Sequence, residues 1–175
     1  TVGASHSGLI GDVGVYSFNG NKIITTGGGG AIVTSKKHIA DRARHLSTTA
    51  KLTNGVFFDH DEVGYNYRMP NINAALGLAQ FTRIDGFVEE KRSIAKDYIS
   101  ILKDTDIRFF EEISGTRSNY WLCSILCPQQ DVRDALLAEL LTNGIEARPP
   151  WKLLNELPMY QDCLSDTLTI TKKVH

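Results

Sequence analysis

The chain has 175 residues, with 42% hydrophobic and 22% charged side chains and a formal net charge of −1. That balance is globular and argues against disorder, and the near-zero charge argues against a dedicated nucleic-acid binder, which carries a basic excess. No apolar run approaches the length of a membrane span, and the N-terminal "TVGASHSGLIGD" has neither the basic nor the apolar region of a signal peptide, so the expectation is a cytoplasmic protein.

In chain order, "VGVYSF" (13–18) is rich in β-branched and aromatic residues and predicts a strand; "GAIVTS" (30–35) predicts a second. Ser35 is placed to cap the helix that follows, where Ile39, Ala43 and Leu46 recur at helical spacing. Residues 50–70 lack a sustained period and read as a long loop, a class that is usually functional in compact domains. A long helix is expected after Pro70, with Asn71 as its N-cap and Gly86 as a bend. Residues 107–112 and 119–126 read as strands, and Trp121 on the second as core. Residues 131–144 form a clear helix capped by Asp131 and ended by Gly144, with Val132, Leu136 and Leu140 facing inward; residues 145–150 read as a strand stopped by prolines. The division expected is residues 1–90 as an α/β part and 91–175 as a smaller α+β part.

Three cysteines are an odd number and speak against a disulfide framework. Cys123 and Cys127, four apart on one expected strand, stand roughly 13 Å from each other, too far to bridge. Buried reduced thiols are the expectation. "FFDHDE" (57–62) gathers Asp59, His60, Asp61 and Glu62; neighbours in sequence rarely converge on one ion, so a solvated loop is favoured over a metal site. His38 and His45, with Lys36, Lys37, Arg42 and Arg44 nearby, read as a solvated basic surface.

The chemistry concentrates in "GVYSFNGNKIITTGGGG" (14–30). Lys22 follows a strand directly. Gly27 to Gly30 allow a ligand or a backbone amide to approach closely, and Ser17, Thr25 and Thr26 offer hydroxyls to an anion. A lysine becomes a nucleophile when its ammonium is desolvated or set near positive charge. The glycines fit neither a P-loop, because Lys22 precedes them, nor Gly-x-Gly-x-x-Gly, because Ile32 fills the last position. A surface lysine beside a flexible turn is the alternative reading.

The segment "GDVGVYSFNGNKIITTGGGGAIVT" closely resembles the active-site segment of the DegT/DnrJ/EryC1/StrS nucleotide-sugar aminotransferases; "DEVGYNYRMPNINAALGLAQ" (61–80) resembles a second signature of that family, and "GIEARPPWKLLNELPMY" (144–160) a weaker third. The resemblance implies a pyridoxal 5'-phosphate (PLP) enzyme of the aspartate-aminotransferase fold (fold type I), with the C-terminal part of the large domain and most of the small domain present. It implies that Lys22 holds PLP as a Schiff base and later acts as general acid and base, that Ser17 binds the cofactor phosphate, and that Asn66 reaches the phosphate in the partner subunit of a homodimer. Asn19, Arg148 and Trp151 fall where such enzymes border the nucleotide-sugar. The amino donor implied is glutamate. Gly28 stands where many members have Glu, and Asn19 where many have His; "Asn-Gly-Asn-Lys" resembles the subset acting on UDP-linked 4-keto sugars in glycan biosynthesis. Other readings are a non-catalytic or regulatory relative, and a sugar dehydratase, a branch in which histidine replaces the lysine. The resemblance further implies an internal fragment, truncated on both sides and with little activity alone.

Overall fold

Two short strands, β1 (Gly14–Ser17) and β2 (Gly30–Val33), pair antiparallel in the register Gly14↔Val33 to Ser17↔Gly30. The structure is a computed structural model that describes residues 1–52 and 56–175. The strands alternate as a pleat requires, with Gly14 buried and Val15 outward. Their connection, residues 18–29, is too long for a tight hairpin turn. It extends the ladder once, where the Phe18 N–H donates to the Gly29 carbonyl, and then leaves the sheet.

Helix α1 (Lys37–Ser47) follows, lying against β2. Its half-buried face is Ile39, Ala43 and Leu46, and its outer face carries Lys37–Asp41 and Arg44–Asp41 ion pairs. The N-cap is Lys36 rather than Ser35; the local turn is made by the Thr34 hydroxyl, which accepts from the Lys36 N–H at 3.1 Å. Residues 50–52 and 56–70 are irregular, as expected of the 50–70 stretch, of which 53–55 lie outside the described residues. The expected long helix is two helices, α2 (Asn71–Phe81) and α3 (Ile84–Leu102). The break falls at Thr82–Arg83, not at Gly86: the Thr82 hydroxyl turns back to the Ala79 carbonyl and the Arg83 N–H to that of Gln80. Pro70 holds the cap position, so Asn71 opens the helix instead.

The chain divides into two compact units, Thr1–Asp97 with Glu111–Cys123, and Tyr98–Phe110 with Ser124–His175. In the first, the returning segment is fastened to α3. Arg92 makes a two-pronged pair with Glu112 at 2.8 and 2.7 Å and donates to the Ser118 carbonyl at 2.6 Å; Glu112 also accepts from the Ser118 N–H at 2.7 Å. The Tyr120 ring is buried, and its hydroxyl accepts from the Glu112 N–H at 3.0 Å. Tyr120 has φ of 43°, a left-handed backbone that no strand accommodates. The strand expected over 119–126 is therefore reduced to Ile125–Leu126, and Trp121 is neither on a strand nor in the core but half-buried.

In the second unit, β3 (Arg108–Phe109) and β4 (Ile125–Leu126) pair antiparallel, and the Tyr98 ring stacks on Phe109 at 6.2 Å. Helix α4 (Gln130–Thr142) ends at Gly144, whose φ of 73° is the left-handed turn expected there. Its N-cap is Gln129; Asp131 lies in the first turn and accepts from the Val132 N–H at 2.9 Å. Leu136 and Leu140 are half-buried, while Val132 is exposed. Residues 145–150 form no strand, having no pairing partner among the described residues. Helix α5 (Thr169–Val174) closes the chain.

Among the described residues the buried apolar side chains are Ala50, Ala95 and Tyr120, and many large ones are exposed, with Ile72 at 86% and Phe81 at 61% on α2. No described helix is long and apolar enough to cross a membrane. Cys123 and Cys163 are exposed and only Cys127 is partly covered, so the expectation of buried thiols fails for two of them.

Candidate functional site

Lys22 sits in the excursion between β1 and β2, and the loop's own polar groups hold its shape. The Lys22 N–H closes a turn onto the Asn19 carbonyl at 3.0 Å, and the Thr26 N–H returns to the Phe18 carbonyl at 3.0 Å. The Thr25 hydroxyl donates to the Phe18 carbonyl at 3.0 Å and accepts from the Gly27 N–H at 2.9 Å. The Thr26 hydroxyl, buried, donates to the Gly28 carbonyl. Both threonine hydroxyls are thus spent inside the loop, which corrects the expectation that they await an anion. Ser17 is different. It is exposed at the end of β1 and its Oγ accepts from the Asn19 N–H at 3.4 Å, which leaves its own O–H uncommitted among the described residues.

Helix α2 clamps the loop from one side. Asn73 donates to the Thr26 carbonyl at 2.6 Å. Gln80 donates to the Thr25 carbonyl at 2.7 Å and accepts from the Thr25 N–H at 3.0 Å. Positions 73, 77 and 80 share one helical face, and the middle one is glycine because the Thr26 methyl lies there: a Cβ on Gly77 would stand 2.7 Å from it. Sequence reasoning missed this clamp. Its trace was present, since Asn73 and Gln80, seven apart, are the polar residues inside an otherwise apolar helix opened by Asn71.

Trp121 holds the loop from the other side. Its indole N–H donates to the Asn21 carbonyl at 2.6 Å, and the Lys22 Nζ lies 3.4 Å from the ring centroid. No carboxylate lies within ion-pair distance of Lys22 among the described residues. A cation over an aromatic face gains about 0.5–1 kcal/mol when exposed and about 2 when desolvated. The amine is held, but weakly enough to leave.

The other expected site residues lie elsewhere. Asn66 is exposed on an extended stretch that bridges Thr48; the neighbouring Tyr65 and Tyr67 stack on each other at 5.1 Å, so alternation sends Asn66 to the opposite side. Its side chain has no hydrogen-bond partner among the described residues, and no contact joins it to Lys22. Asn19 lies in the Lys22 turn. Arg148 and Trp151 belong to the second unit, where the guanidinium lies 5.2 Å from the ring centroid.

The residues of the acidic loop take separate partners. His60 Nδ1 lies 2.7 Å from the Thr49 carbonyl, while Asp61 approaches His45 Nε2 at 2.7 Å and Glu62 is taken by Arg42. The His45 ring beside Asp61 holds that carboxyl below its usual range, and the Arg42 guanidinium does the same to Glu62. His45, Asp61 and Glu62 come together, but an arginine already neutralises one of the carboxylates. The basic face of α1 is therefore covered in part by this loop rather than wholly solvated.

A lysine on a loop between two paired strands, with a glycine-rich turn beyond it and no carboxylate within ion-pair distance among the described residues, can bond a carbonyl compound through its amine. All of residues 1–175 match the DegT/DnrJ/EryC1/StrS aminotransferase family, and the chain belongs to it. It is 41% identical over 162 residues to GDP-perosamine synthase of Vibrio cholerae, covering 91% of this chain and 44% of that protein. It is 38% identical over 159 residues to EpsN of Bacillus subtilis, whose name describes a pyridoxal phosphate-dependent aminotransferase, covering 90% of this chain and 41% of that one. The fold matches the aminotransferase TlmJ from Streptoalloteichus hindustanus with a TM-score of 0.85 at 28% identity, over 91% of this chain and 44% of TlmJ. The chain spans less than half the length of these relatives.

Proposed function

We propose that the protein carrying this chain is a PLP-dependent aminotransferase that places an amino group on a keto sugar linked to a nucleoside diphosphate, in the making of amino sugars for glycans. The observation that carries this reading is the Lys22 amine, free of carboxylate partners and held on a loop fixed from two sides. The residues present fit the cofactor: an uncommitted amine for its aldehyde and, at Ser17, an uncommitted hydroxyl for its phosphate. PLP, when bound, supplies the electron sink for the transfer. Lys22 would hold the cofactor through its amine and, once free of it, would carry a proton on Nζ as general acid and base. Asn66, exposed and with no hydrogen-bond partner for its amide among the described residues, serves the phosphate of the partner subunit's site in a homodimer. Asn19, Arg148 and Trp151 border the nucleotide-sugar. Glutamate is the donor, the cytoplasm the location, and residues 1–90 belong to the cofactor domain with 91–175 in the smaller one.

The "Asn-Gly-Asn-Lys" turn favours a UDP-linked sugar, whereas likeness to a GDP-perosamine synthase favours a GDP-linked one. The test is to incubate the protein with PLP, reduce with borohydride, and map the phosphopyridoxyl group by mass spectrometry, then to assay amino transfer from glutamate to UDP- and GDP-linked 4-keto sugars. Label on the Lys22 peptide alone is expected. Label scattered over surface lysines, or absent, overturns the reading.

A further inference from the structure

Trp121 is separated from Lys22 by about a hundred residues of chain, yet it is bonded to the loop at the adjacent residue, Asn21, and its ring lies under the Lys22 amine. The ring is fixed from behind as well. The Trp121 N–H donates to Asn119 Oδ1 at 3.1 Å, the Tyr120 N–H to Ser118 Oγ at 3.1 Å, and Ser118 is itself gripped by Arg92 and Glu112. We propose that Trp121 is a positioning residue for Lys22: its face parks the amine at one place, and its N–H ties that face to the turn bearing the lysine, so ring and amine keep a common position. This rests on the reading of Lys22 as the cofactor-bearing lysine.

The choice of an aromatic partner has a chemical consequence. A carboxylate would hold the lysine and its proton together through a full charge. The ring attracts the ammonium through its quadrupole and has little hold on the neutral amine. A long, flexible side chain is thus kept in one place without a carboxylate partner that would have to be stripped from it before it reacts.

The experiment compares wild-type protein with Trp121→Leu, which removes the face, and Trp121→Phe, which keeps a face without the N–H. Two readouts are taken. Competitive acetylation, quantified peptide by peptide across pH, reports Lys22 reactivity without any cofactor. Borohydride trapping reports capture of PLP. In Trp121→Leu the amine is no longer held against a ring face and is open to the reagent, so Lys22 acetylation at pH 7 rises about threefold. In the same variant PLP capture at Lys22 falls roughly tenfold, because the amine is no longer placed. Trp121→Phe restores most of both. A merely structural role would raise labelling at lysines throughout the segment and would not be rescued by Phe. Unchanged acetylation and unchanged capture in Trp121→Leu overturn the proposal while leaving the cofactor reading intact. If the wild type captures no PLP at Lys22, the cofactor reading fails instead, and the acetylation arm still decides whether the ring governs the amine. Should Trp121→Leu not fold, Trp121→Met, which fills more of the space and also lacks a face, takes its place under the same outcomes.

Discussion

Lys22 and Arg148 each lie over an indole, at 3.4 and 5.2 Å from the ring centroid, yet the two pairs are built in opposite ways. The Lys22 pair joins residues far apart in the chain. Its ring is bonded to the loop, its loop is clamped by α2, and the ring's segment is fastened to α3 by Arg92 and Glu112. The Arg148 pair joins residues three apart in a stretch without a regular element, and Trp151 is 66% exposed. A long-range scaffold fixes one position, which suits a group that must meet a reacting atom. A local contact on an open segment leaves freedom, which suits a group that must adapt to a ligand.

The largest effect that sharpens this contrast is at Lys22 itself. Lys22→Arg keeps a cation over the ring and removes the nucleophile; it is expected to lower amino transfer by at least roughly a thousandfold and to abolish trapping of PLP, measured by turnover and by mass spectrometry. Next is the clamp. Gln80→Leu leaves the N–H and carbonyl of Thr25 without their partner and is expected to cost about 1–3 kcal/mol, read by urea denaturation, with a parallel loss of Lys22 labelling selectivity. Gly77→Ala drives a methyl into the Thr26 side chain, and a cost of about 1–3 kcal/mol with the same readouts is expected.

The fastening of the Trp121 segment gives a pH-dependent effect. The paired Arg92 guanidinium, and after it the Ser118 N–H, lower the Glu112 carboxyl to about 2 from its usual 4.5. A group with a depressed folded-state pKa stabilises the fold above its unfolded value and loses that contribution as pH falls. Stability is therefore expected to be full above about pH 5 and to decline between pH 4.5 and about 2. Glu112→Gln should flatten that decline in an acid titration followed by circular dichroism. At the small end, Trp151→Ala should change stability by no more than about 0.5 kcal/mol, while raising the KM for the nucleotide-sugar. A large loss of stability there would break the contrast, by showing that the Arg148 pair is also scaffold.

What could be read from the sequence follows from what is local. The strand before Lys22, the glycine turn after it, α1 and α4 all declare themselves through periodicity and turn residues within a few positions, although Ser35 and Asp131 are not the N-caps expected of them. The stretch 119–124 declared itself wrongly. Its aromatic residues favour a strand, but the burial of Tyr120 and the grip of Arg92 on Glu112 and Ser118 impose a left-handed turn that no local pattern announces. Trp121 was misplaced for the same reason. The break at Thr82 depends on hydrogen bonds that the apolar stripe, continuous across it, does not reveal. Thr25 and Thr26 looked available because hydroxyls near glycines usually are; only the folded loop shows that each is already engaged.

Helix α2 presents apolar side chains on several sides, Ile72 and Phe81 among them, and gives the amides of Asn73 and Gln80 to the loop. In water such a surface behaves as a greasy patch. A polypeptide with this helix uncovered would bind dyes such as ANS, cling to columns, and be held by chaperones in a cell until the patch meets a matching surface. The helix that steadies the lysine loop thus also carries a surface that is costly to leave wet.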